Sequence, residues 1–74
     1  MIKEYDPVVL QSDLPNAGLE AGDIGTVVMI HGNGSGYEVE FATLSGITVA
    51  VETVAAANIR PVGTKEIAHV RKVA

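Results

Sequence analysis

The segment Gly22-Asp23-Ile24-Gly25-Thr26-Val27-Val28-Met29-Ile30 constrains the fold more than any other part of this chain. Two glycines bracket a turn, and a run rich in β-branched residues comes after it, the composition of a strand leaving a tight bend. The loop Gly32-Asn33-Gly34-Ser35-Gly36 comes next, and then Tyr37-Glu38-Val39-Glu40-Phe41. In that last segment large residues alternate with carboxylates at a period of two, which predicts a strand with one buried and one wet face. The two runs therefore read as neighbouring antiparallel strands of a small β-barrel. A barrel of this size more often carries binding than chemistry.

The rest of the chain supplies the other strands. Asp6-Pro7-Val8-Val9-Leu10 predicts a short first strand over Val8–Leu10, with Pro7 where its missing N–H costs least. Gln11–Gly22 contains Pro15, Asn16, Gly18 and Gly22 and is read as a long, internally turned loop, pinned to the barrel by Leu14 and Leu19. Ile24–His31 is the second strand. Its apolar residues fall on both parities, Val28 and Ile30 on one face and Val27 and Met29 on the other, so either a further layer covers it or a bulge interrupts it. Thr48–Val54 is the fourth strand, with Val49, Val51 and Thr53 on one face and Ala50 and Glu52 on the other. Ala55–Asn58 predicts a single helical turn, and Ile59–Val62 a short closing strand that Pro61 marks as an edge. The expectation is thus a mainly all-β domain over residues 1–63, a five-stranded SH3-like barrel, and a tail over residues 64–74. Ile67, Val70 and Ala74 fall at helical spacing, so the tail is expected to be helical, with an added strand as the alternative. Ten residues are marginal as a free helix, so order in the tail requires docking.

Composition excludes several classes. There is no cysteine, which removes disulfide staples, and His31 and His69 are the only imidazoles, too few for a zinc site. No apolar stretch approaches the roughly 20 residues of a spanning helix, and the N-terminus lacks the apolar core of a signal peptide, so a cytoplasmic protein with no membrane contact is expected. Five basic against nine acidic residues leave a net charge of −4. Nucleic-acid binding depends on cations that neutralise phosphates, and this balance disfavours it. The charges are also segregated: up to Ile59 the chain has one lysine and eight acids, whereas Arg60, Lys65, Arg71 and Lys72 lie at the end. The plain reading is a solvated acidic body with a basic tail; the sharper one is that tail and body of different copies attract each other.

The segment Gly18–Val28, the strand Tyr37–Phe41 and the closing Ile59-Arg60-Pro61 resemble an uncharacterised family of small bacterial and cyanobacterial proteins of about this length. The resemblance covers Tyr5 to Pro61 and stops before the tail. It implies an SH3-like barrel and almost nothing about activity; such proteins look like companions of other small proteins, some of them antitoxin-like. A looser likeness joins the Gly22–Val28 turn to the KOW motif of ribosomal and transcription proteins. There, lysine and arginine surround the turn; here the positions hold Glu20, Asp23 and Thr26.

No catalytic constellation emerges. Ser12, Ser35 and Ser45 sit in turns, where serine is routine, and none lies in a nucleophile elbow. The three loop glycines lead into a strand rather than into the lysine and helix of a phosphate loop. His31 reads as an exposed residue at a strand end, and His69 as part of the basic tail. Glu38 and Glu40 share a face, as polar residues of any half-wet strand do, and could pair with Arg60, Arg71 or Lys72. Tyr5, Tyr37 and Phe41 are too few for a proline-rich peptide groove, and the last two are expected to point inward. The sequence therefore points to a non-enzymatic protein-interaction module with no catalytic residues, cofactor, metal or small-molecule substrate. Its expected partner is itself, with Val28, Ile30, Ile67, Val70 and Arg71 as candidate interface residues. Oligomerisation is a common remedy for a thin core. The alternatives are a KOW-like nucleic-acid module and an accessory partner or enzyme subunit, the role of the SH3-like barrel in nitrile hydratase.

Overall fold

The computed structural model describes residues 1–73. Five strands, β1 (Pro7–Leu10), β2 (Ile24–His31), β3 (Gly36–Ala42), β4 (Thr48–Ala55) and β5 (Ile59–Pro61), form one antiparallel sheet in the order β4-β3-β2-β1-β5. Two 3-10 turns interrupt them, Pro15–Ala17 and Ala56–Asn58. Among the described residues no helix is long and apolar enough to cross a membrane.

The sheet is not closed, because β4 and β5 are its edges. It is nonetheless strongly bent. Laid flat, the outer strands of five would stand roughly 19 Å apart. The chain passes from β4 to β5 through the three residues Ala56–Asn58, a 3-10 turn that rises only about 6 Å. The two edges must therefore curl toward each other at that end. The core confirms it: Val54 of β4 and Ile59 of β5 belong to the same buried cluster as Val8, Leu10, Val27, Tyr37, Val39 and Phe41.

The β2–β3 seam decides which side chains face that cluster. Tyr37, Val39 and Phe41 are buried, as their alternation requires. Opposite them β2 carries a bulge: Val27 faces Val39 and Met29 faces Glu38, leaving Val28 unpaired. The extra residue flips the parity of the strand. Val27 and Ile30 therefore both turn to the core side, the first fully buried and the second packed against the cluster, while Met29 is exposed. The sequence pattern put Val28 with Ile30 on one face and Val27 with Met29 on the other; the bulge overturns that pairing. A second bulge leaves Val49 unpaired between Phe41–Ala50 and Ala42–Thr48. Beyond it, Val51 and Thr53 stand opposite Glu40 and Glu38 on the outer face, and Ala50, Glu52 and Val54 on the inner one. The three residues grouped by alternation, Val49, Val51 and Thr53, are thus divided by this bulge.

Gly25 is where the seam closes. A Cβ there would lie 2.5 Å from Val39 Cγ1, 2.9 Å from Phe41 Cε1 and 2.9 Å from the Glu40 carbonyl oxygen. Gly22 serves differently: its φ of 97° makes the turn that brings its N–H to the Leu10 carbonyl. The long loop is structured as expected, with Leu14 bridged to Leu19 across the 3-10 turn and Leu19 buried.

The tail departs from expectation. Residues 64–73 form neither a helix nor a strand, and Ala74 lies outside the described residues. A ten-residue helix is marginal unless it docks, and Ile67 and Val70, which would supply its apolar face, remain exposed. The segment instead runs irregularly, held by charged side chains to nearby Arg60 at its root and to distant Asp23 at its far end.

Gly25→Ala should lower stability by about 2–3 kcal/mol, since neither backbone nor buried Val39 can yield without moving the seam. A urea titration monitored by circular dichroism measures this, and an unchanged midpoint would refute the close approach.

Candidate functional site

The tail does not lie flat on the sheet. Between it and the body is a cleft of about 660 Å³. Its floor includes Val9, which is buried yet outside the core cluster, together with Leu19 and Phe41. Its rim carries Ile24, Leu44, Val49, Ile67 and Val70, every one an exposed apolar side chain. Leu44 at 91% and Ile67 at 95% exposure are almost entirely in solvent, so the tail bridges the cleft without filling it.

Two ionic clasps hold the strap. At its root, Arg60 donates from both terminal nitrogens to Glu66, at 2.7 and 2.6 Å, and the Gly63 N–H donates to the same carboxylate at 2.5 Å. These hydrogen bonds, Arg60 foremost, hold the Glu66 carboxyl down at about 2. At the far end, Arg71 Nε and Nη2 donate to the two oxygens of Asp23 at 2.7 and 2.5 Å, a bidentate fork. Nη2 also donates to the Gly18 carbonyl at 3.1 Å, and Nη1 lies 3.6 Å from Glu20 Oε2. The Arg71 hydrogen bond is the main reason the Asp23 carboxyl titrates below its ordinary range, and the same contact raises Arg71. The turn presents Asp23 for this role: the Asp23 N–H donates to the Glu20 carbonyl, and the Glu20 N–H donates back to Asp23 Oδ2.

The remaining polar side chains pair elsewhere. Glu38 Oε2 lies 2.6 Å from His31 Nε2 and accepts from Thr53 Oγ1 at 2.5 Å. Thr53, then His31, hold the Glu38 carboxyl below its usual value. Glu40 accepts from Thr48 Oγ1 at 2.6 Å. The carboxylates of β3 thus pair with β2 and β4 and not with Arg60 or Arg71, whose partners are Glu66 and Asp23. In the His31–Glu38–Thr53 group the hydroxyl and the imidazole both meet the same carboxylate oxygen, which ties β2, β3 and β4 together on the outer face. Among the described residues no three His, Asp or Glu side chains are placed to hold a metal ion.

Of the candidate interface residues, Ile67, Val70 and Arg71 meet at the cleft. Val28 and Ile30 do not line it. Val28 is half-buried at the bulge, and Ile30 is half-buried against the core, lining a smaller hollow beside Met1 and Tyr37. Arg71 faces its own chain's Asp23. Sequence reasoning missed Asp23, Ile24 and Leu44. An apolar residue at a turn tip was the available signal for Leu44; Asp23 is 48 residues from Arg71 and had none.

Both clasp carboxyls titrate below their unfolded values. Their contribution is complete above the ordinary carboxylate range and is lost as pH falls through the folded values. The Glu66 clasp should therefore loosen as pH drops from about 4.5 toward about 2, and the Asp23 clasp as pH falls below the ordinary aspartate range. Arg71→Ala should release residues 67–73 at neutral pH while the sheet stays folded. Backbone amide relaxation by NMR reads both effects; a tail equally ordered at pH 2 and pH 7 would overturn the electrostatic account.

Comparison with known proteins matches one family model, a domain of unknown function (DUF4926), over residues 4–61. No curated protein and no solved structure matches the chain. The match covers the whole five-stranded sheet and ends where the tail begins. The chain is a member of the DUF4926 family.

Proposed function

We propose that this protein is a non-enzymatic protein-interaction module of SH3-like architecture that associates with other copies of itself. One observation carries the reading. Among the described residues, ten large apolar side chains are exposed, as many as the ten hydrophobic residues that are buried. Five of the exposed set, Ile24, Leu44, Val49, Ile67 and Val70, gather on the rim of one cleft. Scattered apolar residues need no explanation, but a contiguous apolar rim on a small domain marks a contact surface.

The SH3-like reading is supported by the strand order and by the three-residue 3-10 link between the edge strands, which is what a sheet rolled almost into a barrel requires. The nucleic-acid alternative is weakened at the residues that suggested it. Arg60 and Arg71 are each committed to a carboxylate, which neutralises two of the four cations, Lys65 and Lys72 being the others, that would meet phosphates. A cytoplasmic setting is part of the proposal and rests on the sequence alone.

Light scattering behind size exclusion should give a mass above the 7.7 kDa of one chain, rising with concentration. A single-chain mass up to millimolar concentration would overturn self-association. Leu44→Asp combined with Ile67→Asp should shorten retention on a hydrophobic-interaction column, and unchanged retention would remove the rim as a contact surface.

A further inference from the structure

The two edges of the sheet are unlike. β5 has three residues and ends in Pro61, and a short strand with proline is a poor template for pairing. β4 has eight, Thr48–Ala55, with neither lysine nor proline among them. Its free groups can be assigned. The Ala56 N–H donates to the Ser35 carbonyl at 3.1 Å, and Gly36 faces Ala55. The pairs that exchange hydrogen bonds are therefore Tyr37–Val54, Val39–Glu52 and Phe41–Ala50. The intervening residues Val51, Thr53 and Ala55 turn their N–H and C=O groups away from β3, where the sheet has no further strand. Val51 is 53% exposed, and among the described residues Val51, Thr53 and Ala55 make no backbone hydrogen bond outside the sheet.

We propose that β4 pairs antiparallel with β4 of a second copy across a two-fold axis, joining two five-stranded sheets into one. This rests on the self-association reading and adds to the cleft rim a second contact, a strand edge. The occupant is dictated by the strand itself. Outward rungs at every second residue offer one donor and one acceptor each, and an identical strand run in the opposite direction meets all three when the axis passes through Thr53. β-branched Val51 and Thr53, both on the outer face, then oppose residues of their own kind or Ala55, a favourable cross-strand set. Pairing Val51 with Val51, Thr53 or Ala55 of the second copy allows three axes, through Val51, Glu52 or Thr53. The axis at Glu52 sets two carboxylates directly opposite each other and is excluded. At the other two, Glu52 faces Ala50 or Val54 of the second copy. Glu52 thus selects the register, as a single charge on an otherwise unguarded edge can.

Val51→Pro tests the pairing sharply, because the Val51 N–H does not donate within its own sheet. The variant should keep the wild-type circular dichroism spectrum while its dimer dissociation constant rises about tenfold or more. Val51→Lys, which retains the N–H but places a charge on the edge, should do the same and decides the matter if the proline variant fails to fold. In the wild type, amide exchange at Val51 and Thr53 should slow as concentration rises. A wild-type dimer unaffected by Val51→Lys, with exchange at Val51 independent of concentration, would overturn the β4 edge while leaving self-association intact. A wild type monomeric at every concentration would overturn both.

Discussion

Everything in this molecule is arranged around the close approach at Gly25. Without a side chain there, Val39 and the Phe41 ring move onto the backbone of β2, and the inner faces of β2 and β3 become one surface. That contact orients Tyr37, Val39 and Phe41 inward and, through the register, sends Glu38 and Glu40 outward. The bulge at Val28 is its companion: it lets β2 place Val27 against Val39 and Ile30 against Tyr37, so that a strand apolar on both parities still presents one coherent core face. The three-residue passage from β4 to β5 then bends the sheet until both edges share a single core. A domain of 74 residues has little apolar material to spare, and this curvature lets one small cluster serve all five strands.

The tail obeys a different physics. Nothing in it packs as a core residue does: Ile67 and Val70 are exposed, and the segment is held at two points by arginine–carboxylate forks. Contacts of that kind are directional and short-ranged, but solvent and salt screen them. The cleft is therefore roofed by an element far easier to displace than any strand. The acidic body and basic tail visible in the composition are expressed here as attraction within one chain, with Asp23 as the receiving site.

The exposed apolar surface has two addresses with separate causes. The cleft rim exists because the tail bridges instead of packing, and because the β3–β4 turn carries Leu44 into solvent. The β4 edge exists because the sheet remains open and the register with β3 turns Val51 and Thr53 outward. The family match covers the strands, over residues 4–61, and the strap lies just beyond that shared region. A segment outside the matched region thus contributes about half of the cleft's lining.

The amino-acid sequence by itself determined the strands. β2 is legible to the residue in its β-branched run, β3 in the alternation of Tyr37, Val39 and Phe41 with glutamates, and the 3-10 turn and short last strand in Ala55-Ala56-Ala57-Asn58 and Pro61. These are local signals, written in the spacing of neighbouring side chains. Which face each residue takes beyond a bulge was decided by the tertiary structure, because one unpaired residue inverts every later parity and two-residue spacing cannot announce it. The fate of the tail was decided there too. Its helical spacing is real, but ten residues are marginal as a helix unless they dock, Ile67 and Val70 stay exposed, and Arg71 finds Asp23 at a separation of 48 residues. Pairing over that distance depends on how the body presents its acids in space, and no local pattern in the chain carries that information.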